Sequence, residues 1–236
     1  MSDMATGRLY GLGVGPGDPE LMTLKALRLL RAAPVVAYPA PDCGDSFARS
    51  IVAEWLDRGQ REIVIRFPMR PGKPPAAIYR AAANELAAAL DAGEDVACLC
   101  QGDPLFYGSF AGILMRLAGR YHVTVVPGVS SLSACAAATL TPLVQRDLTL
   151  SVIPASLAEN ELAGRLAAVD AAAIVKLGRH FPKLRRVLER LGLLDGAVYV
   201  ERASLPNQIV AALSMVDPAS VPYFATALVR RAGLGA

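Results

Sequence analysis

Short apolar runs alternate along this chain with stretches whose apolar residues recur every three or four positions. Residues 8–14, "APVVAYP", "REIVIRF", "DVACLC" and "HVTVVP" read as strands. Between them, residues 20–32, 45–57, 75–91, 105–118 and 131–140 carry helical patterns. In the first of these, Leu21, Leu24, Leu27 and Leu30 share one side. Such alternation predicts β-α-β units and a mostly parallel sheet with helices on its faces. A second series follows: "LTLSVIPA", a helix over 158–169, "AAAIVKLG", an amphipathic helix over 181–191, "GAVYVERAS" and "VPYFATALVR". The pattern predicts two α/β domains, 1–143 and 144–236, with the boundary near residues 141–147.

Composition narrows the class. Of 236 residues, 53% are hydrophobic and 19% charged, the balance of a well-buried globular protein. The net charge of +3 is too small for the basic stripe of a nucleic-acid binder. Residues 121–145 carry no charged side chain, but Pro127, Gly128 and Pro142 interrupt them, so strand, turn and buried helix fit better than a membrane span. Asp3 and Arg8 precede any apolar run, which argues against a secretory signal and predicts a cytoplasmic protein. Cys43, Cys98, Cys100 and Cys135 form no Cys-x-x-Cys pair, and His122 and His180 are the only histidines, so no metal site is expected. Buried free thiols in a reducing compartment account for Cys98 and Cys100.

Five strand ends carry candidate chemistry. The first, "YGLGVGPGDPE", is rich in glycine but fails the dinucleotide and Walker patterns, because Pro16 or Asp18 stands where the last glycine belongs. Asp18 as N-cap with Pro19 at the first helical position explains the Asp-Pro pair. Gly13, Gly15 and Gly17 suggest that a flat ligand approaches the backbone closely. The second, "CQGDPLFYGSF", repeats Gly-Asp-Pro, where Asp103 is either a cap or a ligand contact. "VVPGVSS" ends a strand and opens a helix with Ser130 and Ser131, which serve either as caps or as anion contacts. "IVKLGR" and "VYVERASLPNQ" complete the set, and Glu201 and Arg202, taken alone, read as an exposed turn. Without a Ser-His-Asp set, metal cluster or redox pair, the constellation suits a transferase whose reagent arrives activated and needs positioning. The alternative is a non-catalytic module for an acidic small molecule.

The order "VGPGDPELMTLKA", "QGDPLFYGSF", "VVPGVSS", "VKLGR" and "VERAS" resembles the tetrapyrrole (corrin/porphyrin) methylases along nearly the whole chain. Within that family "FPM", "PGVSSLSA" and "VERASLP" are most similar to the members that methylate the meso carbon C20 of precorrin-2 in cobalamin biosynthesis. The resemblance implies a homodimer of two-domain chains, with S-adenosylmethionine (SAM) folded in an interdomain cleft and S-adenosylhomocysteine as product. It implies cofactor contacts at Pro16, Gln101, Gly102, Asp103, Phe106, Ser130, Ser131, Leu177 and Ala203. It places the tetrapyrrole by Gly13, Gly15, Gly17 and Asp18. Gln101 stands where close relatives often carry Glu, which leaves a backbone role there. Asp18, Asp103 and Glu201 are the candidates for a proton acceptor. Arg66, Arg70, Lys73, Arg146, Arg179 and His180 are candidate partners for the substrate carboxylates.

Overall fold

The computed structural model describes residues 6–68 and 75–231. Its contacts divide the chain between Ser130 and Ser131, one helix before the expected 143/144 boundary. The intervening helix packs on the sheet of the second unit.

In the first unit, β1 (Leu9–Gly13), β2 (Val35–Pro41), β3 (Arg61–Phe67), β4 (Val96–Cys100) and β5 (Val123–Val126) form one sheet in the order β3-β2-β4-β1-β5. Every pairing in it is parallel. Side chains of β1 alternate between two cores. Tyr10 and Leu12 meet α1 (Leu24–Ala32) and α2 (Phe47–Ile51), whereas Leu9 meets α3 (Pro75–Asp91) and α4 (Phe110–Leu117). Gly11 lies on this second face under the Phe110 ring, where a Cβ would come within 2.4 Å of the ring. Cys98 and Cys100 face the same core, and burial pushes both thiols up, so neither is a nucleophile near neutral pH.

Two helices begin later than the periodicity suggests. Asp18 accepts a hydrogen bond from the Glu20 amide at 2.8 Å, but caps only a 3-10 turn at Pro19–Leu21. Helix α1 starts afresh behind Thr23, whose hydroxyl accepts from the Ala26 amide. The restart shifts the phase, so Ala26 and Leu30 are buried while Leu24 is 86% exposed. In the second case, residues 103–109 form turns before α4, and Tyr107 has a φ of +55°, which a helix does not accommodate.

The second unit opens with α5 (Ser131–Ala138) and continues through β6 (Leu150–Pro154), α6 (Glu159–Ala167), β7 (Ala171–Val175), α7 (Phe181–Arg190), β8 (Val198–Glu201), β9 (Ile209–Ala212) and β10 (Ala225–Arg230). Its sheet runs β6-β7-β10-β8-β9. Only β6 and β7 pair in parallel, which corrects the expectation of a mostly parallel sheet for this half. The reason is connection length. Residues 202–208 are too short for a parallel crossover, which needs about a dozen residues, so β9 folds back beside β8. Strand β9 follows the Glu201 motif and escapes the sequence reading.

Among the described residues, no helix is long and apolar enough to cross a membrane. Arg49 of α2 donates from Nε and Nη2 to the Glu62 carboxylate on β3 at 2.7 and 2.9 Å, and the Tyr38 hydroxyl on β2 donates to it at 2.5 Å. The Arg49 bonds bring the Glu62 carboxyl from 4.5 down to about 2. A depressed carboxyl stabilises the fold above its ordinary range and loses that contribution as pH falls towards the folded value. Both partners are partly exposed, so Glu62→Gln should cost about 1 kcal/mol near pH 7. In urea titrations the gap to the parent protein should close as pH is lowered from 4.5 to about 2.

Candidate active site

In the first unit, the loops after β1, β4 and β5 interlock through backbone. Val14 donates its amide to the Cys100 carbonyl at 3.0 Å, and Gly102 donates to the Gly15 carbonyl at 2.7 Å. The two Gly-Asp-Pro segments are thus stitched to one another by an antiparallel bridge at Gly15 and Gly102. Asp103 secures the third loop. Its Oδ1 accepts from the Leu105 amide at 2.9 Å, and its Oδ2 accepts from the Gly128 amide at 3.1 Å.

The glycines make this contact possible. A Cβ on Gly128 would lie 2.1 Å from the Gly102 carbonyl oxygen and 2.8 Å from the Gly13 Cα. A Cβ on Gly13 would lie 2.5 Å from the Gly128 nitrogen. Gly13 is therefore bare because another backbone needs the room, so packing alone requires glycine there. Gly128, passed over in the sequence as half of a Pro-Gly turn, is the third member. Gly102 differs: it has a φ of +66°, and a Cβ there would find its nearest neighbour, the Val129 carbonyl, at 3.9 Å. The open side of Gly102 is a cradle that any side chain would fill.

Around this cradle, residues 13–18, 101–106 and 125–131 contain no Lys or Arg, while Asp18 and Asp103 supply carboxylates. That chemistry fits a cationic sulfonium and opposes a polyphosphate. Pro16 and Gly17 are buried, and Gln101, Ser130 and Ser131 are half-buried. Leu105, Phe106 and Tyr107 expose apolar surface, with the two rings edge to face at 5.2 Å. Asp103 already accepts two amides and acts as a tether of the loops.

In the second unit, the ends of β7 and β8 lie beside the start of antiparallel β10. Leu177 is buried between Lys176 and Gly178, both with positive φ. Ala203 lies between Arg202 at φ +51° and Ser204 at φ +71°. The Arg202 amide donates to the Phe224 carbonyl at 3.2 Å, and the Gly178 Cβ position faces the Tyr223 backbone at 3.8 Å. Tyr223 and Phe224 expose their rings edge to face at this sheet end. They were read as strand, although their aromatic pairing just before the alternating "ATALV" was the available signal.

Glu201 is 6% exposed. It accepts from the Tyr199 hydroxyl at 2.6 Å and pairs with Arg202 at 2.6 Å. It is no exposed turn. Burial and the Glu201 carboxylate both push the Tyr199 hydroxyl up, so it remains a donor. Of six described non-glycine residues with positive φ, Tyr107, Lys176, Arg202 and Ser204 sit in these strand-end loops. Backbone strain gathers at functional sites.

The candidate cations divide. Arg66 donates to the Pro41 and Gly44 carbonyls at 2.8 and 3.3 Å, and so braces its own loop. Arg146 and Arg179 are exposed. His180 is held below the usual histidine range by burial and by Lys183 and Arg179, so it is uncharged near neutral pH. Arg70 and Lys73 lie outside the described residues. Among the described residues, no cluster of three or more His, Cys, Asp or Glu could hold a metal.

The sequence model of the Tetrapyrrole (Corrin/Porphyrin) Methylases matches residues 8–217. The chain is a tetrapyrrole methylase. The precorrin-2 C(20)-methyltransferase of Sinorhizobium sp is 43% identical to this methylase over 238 residues, covering 97% of each chain. The cobalt-precorrin-2 C(20)-methyltransferase of Salmonella typhimurium is 33% identical, covering 95% of this chain and 97% of its own. The cobalamin biosynthesis protein CobIJ of Mycobacterium bovis is 46% identical over 233 residues, and the methylase spans only 46% of its length. Among solved structures, the Thermus thermophilus uroporphyrin-III C-methyl transferase complexed with S-adenosylhomocysteine superposes with a TM-score of 0.70 and 29% identity, covering 95% of this chain and 97% of its own.

The three-glycine contact makes a contrast measurable by thermal unfolding. Gly128→Ala should destabilise the methylase by about 2–3 kcal/mol, because backbone must move. Gly164→Ala, in α6 with nothing within 4 Å of the new methyl, should stabilise it by about 0.5–1 kcal/mol.

Proposed function

We propose that this methylase transfers a methyl group from SAM to the meso carbon C20 of precorrin-2, giving precorrin-3A. The reading is carried by the Sinorhizobium C20-methyltransferase, similar at 43% identity over 97% of both chains. The cation-free glycine cradle supports it. In this reading Gly102, Gln101 and Asp103 meet the cofactor, with Pro16, Phe106, Ser130 and Ser131 beside them. Leu177 and Ala203 offer backbone to its adenosine part. Gly15, Gly17 and Asp18 face the macrocycle, while Gly13 serves the packing beneath. Arg70 and the exposed Arg146 and Arg179 bind acetate and propionate carboxylates. The active species is a homodimer, which light scattering would test. Where cobalt is present, it enters as part of the substrate.

When bound, SAM supplies a methyl group on a positively charged sulfur and leaves as S-adenosylhomocysteine. The task of the chain is then geometric. The interlocked loops hold fixed carbonyls and carboxylates around a cation. They keep that cation in line with an electron-rich ring carbon, an arrangement worth roughly 7–11 kcal/mol in effective concentration. Asp103 contributes by holding the Gly128 loop against the Gly102 loop. Attack by an enamine-like carbon needs no strong base: the carbon–methyl bond forms as the sulfur–methyl bond breaks, and the ring loses a proton to water afterwards, consistent with carboxylates engaged in structure.

Anaerobic incubation with methyl-13C SAM should place label on C20 of precorrin-2, read by NMR, with cobalt-precorrin-2 and uroporphyrinogen III as parallel acceptors. Label on another position overturns the C20 assignment, and no transfer to any tetrapyrrole overturns the activity. Asp103→Asn keeps one acceptor oxygen and should weaken S-adenosylhomocysteine binding about tenfold by calorimetry, roughly the value of one charge-assisted hydrogen bond.

A further inference from the structure

Successive side chains of an extended strand point to opposite faces. Glu201 ends β8 and Arg202 follows it directly, so an extended backbone would carry them apart. Their side chains nevertheless meet at 2.6 Å, with Arg202 at φ +51°. The left-handed turn and the ion pair thus occur together at this strand end. A non-glycine residue in that region is strained by its Cβ against the following carbonyl, and something must offset the cost. Glu201 is fixed for this purpose from the other side, where the Tyr199 hydroxyl donates to it at 2.6 Å. Tyr199 is itself locked, fully buried and edge to face with Phe181 at 6.0 Å.

The turn that this brace maintains is also held at its rim. The Arg202 amide donates to the Phe224 carbonyl, the Leu205 amide to the Arg202 carbonyl, and the Ser204 amide to Gln208. Between them, the amide and carbonyl of Ala203 take part in no hydrogen bond among the described residues, although Ala203 is only 8% exposed. Buried backbone groups without protein partners are costly unless something else satisfies them.

We propose that Tyr199, Glu201 and Arg202 form a positioning brace that presents the Ala203 backbone to the adenosine part of the cofactor. Glu201 is thereby a positioning residue and not the proton acceptor of the reaction. The inference rests on the SAM reading above and deepens it.

Calorimetry with S-adenosylhomocysteine, paired with steady-state kinetics, tests it. Glu201→Gln should weaken binding about tenfold and raise KM for SAM in parallel, while kcat at saturating SAM falls by no more than about threefold. Tyr199→Phe should act in the same direction, about threefold, and carries the test alone if Glu201→Gln does not fold. The decisive variant is the double change Glu201→Gln with Arg202→Gly. Glycine adopts the left-handed turn without a brace, so affinity should recover to within about threefold of the parent protein. Unchanged affinity in Glu201→Gln, with kcat lost and the basic or acidic limb of its pH profile removed, would identify a proton acceptor and overturn the brace. Parallel loss of stability, affinity and kcat with no recovery on adding Arg202→Gly would make Glu201 a general stabilising residue and also overturn it. If the parent protein binds no S-adenosylhomocysteine, the cofactor reading fails first and the brace falls with it. If the parent binds and all variants bind equally, the brace alone fails.

Discussion

The close approach of Gly13, Gly102 and Gly128 is the constraint on which the first unit's strand-end loops depend. Parallel strands lie about 4.8 Å apart, and three adjacent strands end here side by side. Loops leaving them either diverge into solvent or turn towards one another. They turn inwards, and the Gly128 Cα then lies so near the Gly102 carbonyl that only a hydrogen fits between them. The contact brings the Gly128 amide to Asp103 and the Gly15 carbonyl to the Gly102 amide. Backbone packed against backbone has few rotamers to lose, so the contact favours one arrangement of the three loops. A single arrangement is what a reaction governed by alignment needs.

The second unit reaches a comparable end by different means. Its sheet is mostly antiparallel, and its turns use Lys176, Arg202 and Ser204 in left-handed conformations that glycine would adopt at lower cost. At Arg202 and Ser204 side chains supply the restraint, Glu201 at the first and Gln208 at the second. A buried ion pair is by itself weak evidence of stability, because desolvation opposes the Coulomb attraction. What Glu201 offers is a defined conformation at a strained position, supported by Tyr199 from within the core.

Some of the site was legible in the residues and some was misattributed. The five strand-end motifs were visible because Gly-Asp-Pro, Pro-Gly and short apolar runs are local signals. Asp103 was recognisable as a key carboxylate, but whether it meets a ligand or another loop depends on Gly128, distant in sequence. Glu201 looked like part of an exposed turn because nothing local announces that Tyr199 donates to it and Arg202 folds back over it. The bareness of Gly13 was credited to a ligand, whereas the Gly128 backbone lies where its side chain would be, and Gly11, which drew no comment, makes room for Phe110. The ring pair of Tyr223 and Phe224 was absorbed into a strand because aromatic residues suit strands as well as exposed strand ends.

The sequence by itself determined the order of the elements, the central strands, the two-part α/β organisation and the loops that carry the chemistry. These are set by hydrophobic period, turn residues and caps, which act over a few positions. Only the tertiary structure decided where α1 and α4 begin, that β9 exists, and that β10 enters antiparallel between β7 and β8. It alone decided that the alternating glycines of the first strand make room for the protein's own backbone and side chains. Strand direction, capping choice and backbone contact depend on groups far apart along the chain. No local pattern records which of them will meet.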